Sequence, residues 1–488
     1  MKGVGRLTRQ GMLWNFASSV ASNFVKLAVF AALGRLLDKR DFGVVAAAWT
    51  VVQLGNVVKD LGVGLALVQR KSLDQEHVEA AFTFSVLLGI GLGAFFFFCA
   101  GPIGRLYGIP DSIPIIRLLS VLFVLRGFAL VPGFMCRRGM QFRALAIADF
   151  CGYMSGSALA VGLAVSGAGA WSIAWGYVLE TGVNVTILLF LAPPPPRLRW
   201  NGRHMRDLLG FGIGQSIGEI ASYFANQGDY MVVGRFLGAE QLGVYQRAYE
   251  LVRFPATVFS TIAGSVLFSA FSKVQDDTER SARAFRRSMF AAALVLLPAS
   301  AGLIVLAPEV IHLLLGPKWS DVVWPFRIMA LVMFARTMYK LGAIIGRSAG
   351  DVVAIAAWHI LYAVLVIGGA LISKQWGVLG VSCTTGFAIL VTFAGLTGLA
   401  RRVTRLPFGD LLRAHLPGLG LAILVGGLAW ADAAGLRALG LPYAVVAAGV
   451  SIAGALMFLA VTVLKTRGTS DHDWPWLRDI VSKIGSRK

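Results

Sequence analysis

The chain places two arginines nine residues apart in RLLSVLFVLR, residues 117–126, and again in RIMALVMFAR, residues 327–336, with no other charge between them. A guanidinium stays charged, and its forked donors match the oxygens of a phosphate better than a point charge does. Within an apolar helix such a group costs roughly 2.5–3.5 kcal/mol on insertion scales, so it faces a wet cavity or a partner. Near a helix end it can instead reach the headgroups. Arg117 and Arg327 begin their apolar segments and read as interfacial anchors. Arg126 and Arg336 lie about 13.5 Å deeper and about half a turn around a continuous helix, which directs them into a lumen. Lys340 follows Arg336 by four residues and shares its face. Lys26 lies two thirds of the way across the first apolar segment and is also assigned to the lumen.

Other charges in apolar surroundings leave alternatives open. Arg247, Glu250 and Arg253 are spaced three apart, so Arg253 is either a bridge to Glu250 or a ligand group. Lys59-Asp60 could be a structural pair, although neighbours on a helix diverge by about 100°. Asp60, Asp149, Glu180, Glu219 and Asp229 either balance the bases or hold a coupling proton or sodium ion. Lys26, Lys59, Arg117, Arg126, Arg247, Arg253, Arg327, Arg336 and Lys340 outnumber those acids with Glu250, nine to six, which favours an anionic cargo, phosphate or pyrophosphate. Catalytic signatures are missing: there is neither a phosphate-cradling glycine loop nor a GxSxG sequence. Cys99, Cys136, Cys151 and Cys383 are scattered among apolar residues, and Asp471-His472-Asp473 reads as solvated tail. No metal, cofactor or enzyme activity is expected.

The elements that carry these residues follow from composition. Hydrophobic residues make up 57% of the chain, charged ones 14%, and mean hydropathy is +0.71, where a soluble protein carries about 25% charge. A ruler of roughly 20 apolar residues finds fourteen candidate spans, near 12–34, 42–68, 81–103, 113–135, 144–166, 168–192, 207–233, 241–270, 288–306, 323–345, 352–373, 376–400, 414–434 and 441–464. With the N-terminus inside, the inner segments hold 28 of the Lys and Arg residues and the outer loops 8, which puts both termini in the cytoplasm. The net charge of +20 is thus mostly topology signal that also favours anionic lipid, and nucleic acid is not expected.

The arginine pairs recur at an offset of 210 residues, and Gly34-Arg35-Leu36-Leu37 with Phe42-Gly43-Val44 recurs as Gly234-Arg235-Phe236-Leu237 with Leu242-Gly243-Val244 at an offset of 200. Six spans per copy predict an all-α polytopic membrane protein with two six-helix lobes in a parallel two-fold repeat plus two C-terminal helices. The expected divisions are an N-lobe at 1–192, a cytoplasmic linker rich in Pro and Arg at 193–206, a C-lobe at 207–400, the last pair of spans at 401–464 and a basic tail at 465–488.

These motifs, with Asp60-Leu61-Gly62-Val63-Gly64 and Gln69-Arg70-Lys71, resemble the bacterial polysaccharide transporter family, its colanic-acid-exporter branch of Wzx flippases within the MOP superfamily. The likeness runs from about Met12 to Arg402. It implies residence in the bacterial inner membrane and transfer of undecaprenyl-pyrophosphate-linked repeat units for exopolysaccharide, capsule or lipopolysaccharide. It also implies a cationic lumen, carried over to Lys26, Arg126, Arg253, Arg336 and Lys340, and partners among membrane lipids and the polymerase and export machinery. Related flippases often carry arginine where this chain has Lys26, which cannot make the same bidentate contact. The rival functions are an ion-coupled drug or metabolite antiporter of the same superfamily and a membrane polysaccharide polymerase.

Overall fold

The computed structural model describes residues 23–60, 67, 74–192, 202–272 and 278–451, with backbone alone at 58–60, 202–219, 221, 258, 260–272, 278 and 352. Among these residues there are helices and short turns but no strand. Helices α1 (23–36) and α2 (Lys39–Asp60) are followed by α3 (Gln75–Tyr107), α4 (Ser112–Leu119), α5 (Val121–Arg138), α6 (Phe142–Val165) and α7 (Ala170–Leu191). After α8 (Gly202–Ser272) come α9 (Thr278–Val305), α10 (Ala307–Leu314), α11 (Val323–Leu331), α12 (Met333–Ser348), α13 (Val352–Ser373), α14 (Gly377–Thr404), α15 (Phe408–Ala438) and α16 (443–451). Most of the expected linker, the end of the last span and the tail, including Asp471-His472-Asp473, lie outside the described residues.

Seven helical stretches among the described residues are long and apolar enough to cross a membrane, or eight if the bent pair 317–331 and Met333–Ser348 forms one span. Their outward side chains are those that water would not tolerate in number: Phe98, Phe190, Ile423 and Trp430 are each at least 65% exposed. The chain is therefore a multi-pass membrane protein.

Lipid supplies no hydrophobic drive between helices, so close approach at small residues holds them together. Added side chains at Gly89 of α3 and Gly127 of α5 would sit 2.6 Å from the Phe123 carbonyl oxygen and 2.7 Å from that of Ser85. Gly418 of α15 lies likewise against the carbonyl of Ala293 in α9. Arg437 then clamps α15 to the outset of α10, its Nε and Nη2 donating to the fully buried Glu309 carboxylate at 2.7 and 2.8 Å. His312 and Tyr443 stack beside this pair at 4.6 Å.

The two sequence motifs at offset 200 occupy matching places, each at a break between helices. α1 stops at residue 36 and α2 begins at Lys39, while α8 is broken at Gly238, whose φ of 83° and ψ of 178° no helix allows. Beyond the breaks the motifs touch one another. A side chain at Gly43 would fall on the carbonyl oxygen of Ala239, and one at Gly243 on the carbonyl oxygen of Lys39, the residue 200 before Ala239. The neighbouring arginines are exchanged in the same manner. Arg35 donates to the Leu313 carbonyl at 2.5 Å, at the end of α10, and Arg235 to the Arg105 carbonyl at 3.3 Å, at the end of α3. Lys318 adds bonds to the Leu37 carbonyl at 2.7 Å and to Asp38 at 3.2 Å, and the buried Trp319 indole donates to the Gly34 carbonyl at 2.8 Å. Lys39 pairs with Asp321 at 2.5 Å. One end of the molecule is thus tied across by both halves of the chain.

Two consequences are measurable by thermal unfolding of the purified protein. Gly43→Ala or Gly243→Ala should destabilise by about 1–3 kcal/mol through overpacking, whereas Gly91→Ala, which meets nothing within 4 Å, should leave the midpoint unchanged or raise it. Arg437→Ala strands the buried Glu309 carboxylate and should cost about 3–5 kcal/mol, while Arg413→Ala, an exposed partner 3.9 Å from Asp410, should cost no more than about 1 kcal/mol.

Candidate substrate cavity

Toward the other end the helices part around three adjoining chambers. The first, about 390 Å³, is lined by Lys26 and Phe30 of α1, Phe42 of α2, Tyr153 of α6, Glu180 of α7, and Arg247, Glu250 and Arg253 of α8. The second, about 620 Å³, shares Lys26, Tyr153 and Glu180 and adds Arg126 of α5, Asp149 of α6 and Asn184 of α7. The third, about 310 Å³, is lined by Arg253 and Thr257 of α8 with Arg336, Thr337 and Lys340 of α12. Thr257 borders all three.

Glycines decide which side chains meet here. Gly152 and Gly156 of α6 press on the backbone of α7, where a side chain would come within 2.6 Å of the Glu180 carbonyl and 2.5 Å of the Gly176 carbonyl. That seam brings Asp149 and Tyr153 alongside Glu180 and Asn184, and Asn184 Nδ2 donates to Asp149 Oδ1 at 2.8 Å. In α12, Gly342 presses on the Leu396 carbonyl of α14 at 2.6 Å, one face of a helix that presents Arg336 and Lys340 on another.

Each cation has a distinct setting. Arg126 Nη1 donates to Asn56 Oδ1 at 2.9 Å and its guanidinium lies 5.7 Å from the Trp49 ring, which in turn stacks on Tyr177 at 4.3 Å. The Lys26 ammonium stands 5.5 Å from the Tyr153 ring. Arg336 lies over the Tyr249 ring at 3.5 Å, among Tyr230, Tyr245, Tyr339 and Tyr362, and its buried Nη1 makes no hydrogen bond. Lys340 and Arg253 are exposed within their chamber. Glu250 pairs at 3.0 Å with Arg247, which is buried over Phe42 at 3.8 Å and Phe30 at 4.6 Å. Glu250 is thus paired with Arg247, and Arg253 is among the residues that line the first and third chambers.

The shallower arginines do not line any of these chambers. Arg117 is exposed beside Phe97 at 5.7 Å, and Arg327 donates to the Ile304 carbonyl at 3.0 Å and lies 4.8 Å from Trp324. The second pair is divided by a 42° bend at Val332 between α11 and α12, whereas the first lies on one 27-residue helical stretch, Ser112–Arg138, in which Ser120 keeps helical backbone angles between α4 and α5. The continuous helix expected over each pair is therefore found for Arg117 and Arg126 and replaced by two segments for Arg327 and Arg336. Among the acids, Asp149 and Glu180 line the cavity, whereas Asp229 is buried with its carboxylate accepting from Tyr245 Oη at 2.6 Å. The side chains of Lys59, Asp60 and Glu219 lie outside the described residues. Tyr153, Asn184, Thr257 and Thr337 line the cavity without having stood out in the sequence, since neutral polar residues are common in apolar helices. No group of three or more metal-ligating side chains occurs among the described residues.

Solved structures with the same fold are membrane transporters. The lipid II flippase MurJ in an inward closed conformation superposes with a TM-score of 0.72 at 13% identity, over 91% of this chain and 98% of that one. An inward-facing multidrug resistance MATE family transporter of the MOP superfamily gives 0.63 at 16% identity, over 80% and 94%. In sequence, the lipopolysaccharide biosynthesis protein WzxC of Escherichia coli is 26% identical over 68% of this chain and 68% of its own length. The succinoglycan biosynthesis transport protein ExoT of Rhizobium meliloti is 29% identical over 64% of this chain and 63% of its own. The teichuronic acid biosynthesis protein TuaB of Bacillus subtilis is 22% identical over 69% and 70%. These matches therefore span about two thirds of each relative. The model of one family, described as polysaccharide biosynthesis protein, matches residues 32–324, and the chain belongs to that family.

Proposed function

We propose that the protein is a flippase that carries lipid-linked oligosaccharide repeat units across the bacterial inner membrane for the synthesis of a surface polysaccharide. The observation that carries this reading is the third chamber, where Arg253, Arg336 and Lys340 converge with two threonine hydroxyls and no acid among the lining residues. Three cations in a membrane interior are costly unless an anion joins them, and a pyrophosphate offers oxygens for guanidinium forks and an ammonium together. The glycan extends into the larger polar chambers, and the polyprenyl tail remains in the bilayer. No bond is made or broken, so the protein works as a transporter rather than an enzyme, and its released cargo passes to the polymerase and export machinery.

Orientation follows from the 28-to-8 distribution of Lys and Arg. The termini lie in the cytoplasm, the end tied by Gly43 and Gly243 faces the periplasm, and the chambers are reached from the cytoplasmic side. The six-span lobes rock about the chambers, so that the tied end separates while the other closes. Asp149 and Glu180, with Asp60 and Glu219, serve charge balance or ion coupling. An antiporter of the same superfamily fits less well, because a cationic substrate has no acid to meet in the third chamber.

The decisive experiment is complementation. Deletion of the gene should abolish surface polymer and strand lipid-linked repeat units on the cytoplasmic leaflet. Wild type should restore export, and Arg336→Ala or Arg126→Ala at matched expression should lower it by about tenfold or more, the scale of a charge-assisted contact. Normal polymer in the deletion strain would refute the reading.

A further inference from the structure

The charges of the cavity are not spread evenly. At the α8–α12 end, Arg253, Arg336 and Lys340 stand without an acid among the lining residues. At the α5–α6–α7 end, Lys26 and Arg126 are matched by Asp149 and Glu180, and α7 adds the hydroxyl of Thr181 and the amide of Asn184. A pyrophosphate placed at this second end would face two carboxylates at close range, which repel it, and Arg126 already donates to Asn56. A neutral polyol meets the opposite conditions. Carboxylates only accept hydrogen bonds, a guanidinium only donates, and an amide does both, so together they can satisfy adjacent sugar hydroxyls in either sense. Tyr153 supplies a flat apolar face with a polar tip along the same wall.

We infer that the chamber of Arg126, Asp149, Tyr153, Glu180 and Asn184 is a glycan subsite that reads the sugars next to the pyrophosphate, separate from the phosphate chamber at Arg253, Arg336 and Lys340. This assignment rests on the flippase function proposed above and specifies how the cavity divides its cargo. The volume, about 620 Å³, is that of a ligand pocket rather than a crevice. The two chambers meet at Thr257, as they must if the phosphate and the first sugar are covalently joined. The recognising groups are also fixed before cargo arrives. Asn184 holds Asp149, the Trp49–Tyr177 stack backs Arg126, and the Gly152–Gly156 seam sets the spacing of α6 and α7. Preorganised groups of this kind lose little freedom on binding, so they discriminate among sugars rather than merely admit them.

The test compares two probes on the purified full-length protein in nanodiscs: undecaprenyl pyrophosphate alone, and the lipid-linked repeat unit extracted from the strain lacking the gene. Wild type should bind the glycosylated lipid more tightly. Asn184→Ala and Tyr153→Phe should weaken the glycosylated probe by about tenfold, the value of one or two hydrogen bonds, and leave the bare pyrophosphate within about twofold, which also shows that the variants are folded. Arg336→Ala should weaken both probes alike. Equal binding of the two probes by wild type, or equal loss or no loss of both in the α6 and α7 variants, would overturn the glycan subsite and leave the flippase standing. Failure of wild type to bind either probe would overturn the flippase and the subsite together. If Asn184→Ala does not fold, Asn184→Ser with Tyr153→Phe gives the same comparison without a change of charge.

Discussion

The arrangement depends on one crossing of backbones, where Gly43 and Gly243 lie against the carbonyls of Ala239 and Lys39. The contact is isologous: each motif offers the other the same surface, as in a two-fold dimer, although both belong to one chain. Glycine is required on both sides because the obstacle is main chain, which cannot turn away as a side chain would. Beyond the crossing, α1 and α8 line the first chamber together with α6 and α7, and Phe42 of α2, next to Gly43, closes its near end.

Charge in the interior is managed in two contrasting ways. Arg247 is paired with Glu250 and sandwiched by Phe30 and Phe42, and Arg437 is paired with the buried Glu309, so both are spent on holding helices together. Arg336 has tyrosine rings for neighbours and an Nη1 with no acceptor. Ring faces soften the cost of a desolvated cation without quenching it as a carboxylate would. A cation held that way keeps its attraction for an incoming anion, as the proposed role of Arg336 requires.

Much of this was legible in the residues. Apolar segments found the helices, and the depth of Arg126 and Arg336 marked them as different from Arg117 and Arg327. The repeat of Phe42-Gly43-Val44 as Leu242-Gly243-Val244 was visible as well, but not that the copies face each other, because a repeat states resemblance and not contact. Glu250 had arginines three residues away on either side, and only the aromatic pocket around Arg247 broke the tie. Asn184 drew no notice since its importance comes from Asp149 on another helix, brought near by a glycine seam that is tertiary in origin. The bend at Val332 was hidden for a related reason: valine is no helix breaker, and local pattern alone read straight through it.

The break at Val332 has a mechanical meaning for the residues below it. Arg327, above the break, is fastened to the end of α9 through the Ile304 carbonyl, so a tilt of α12 relative to α11 would turn about the bend. Val332 then acts as a fulcrum. Arg336 and Lys340 lie four and eight residues along the arm, about 6 and 12 Å at the helical rise, and any tilt carries the lysine through twice the arc of the arginine. The two cations keep their spacing but travel different distances, so a swing of α12 would change the separation of each from Arg253 on α8 by a different amount without breaking a single bond within the helix.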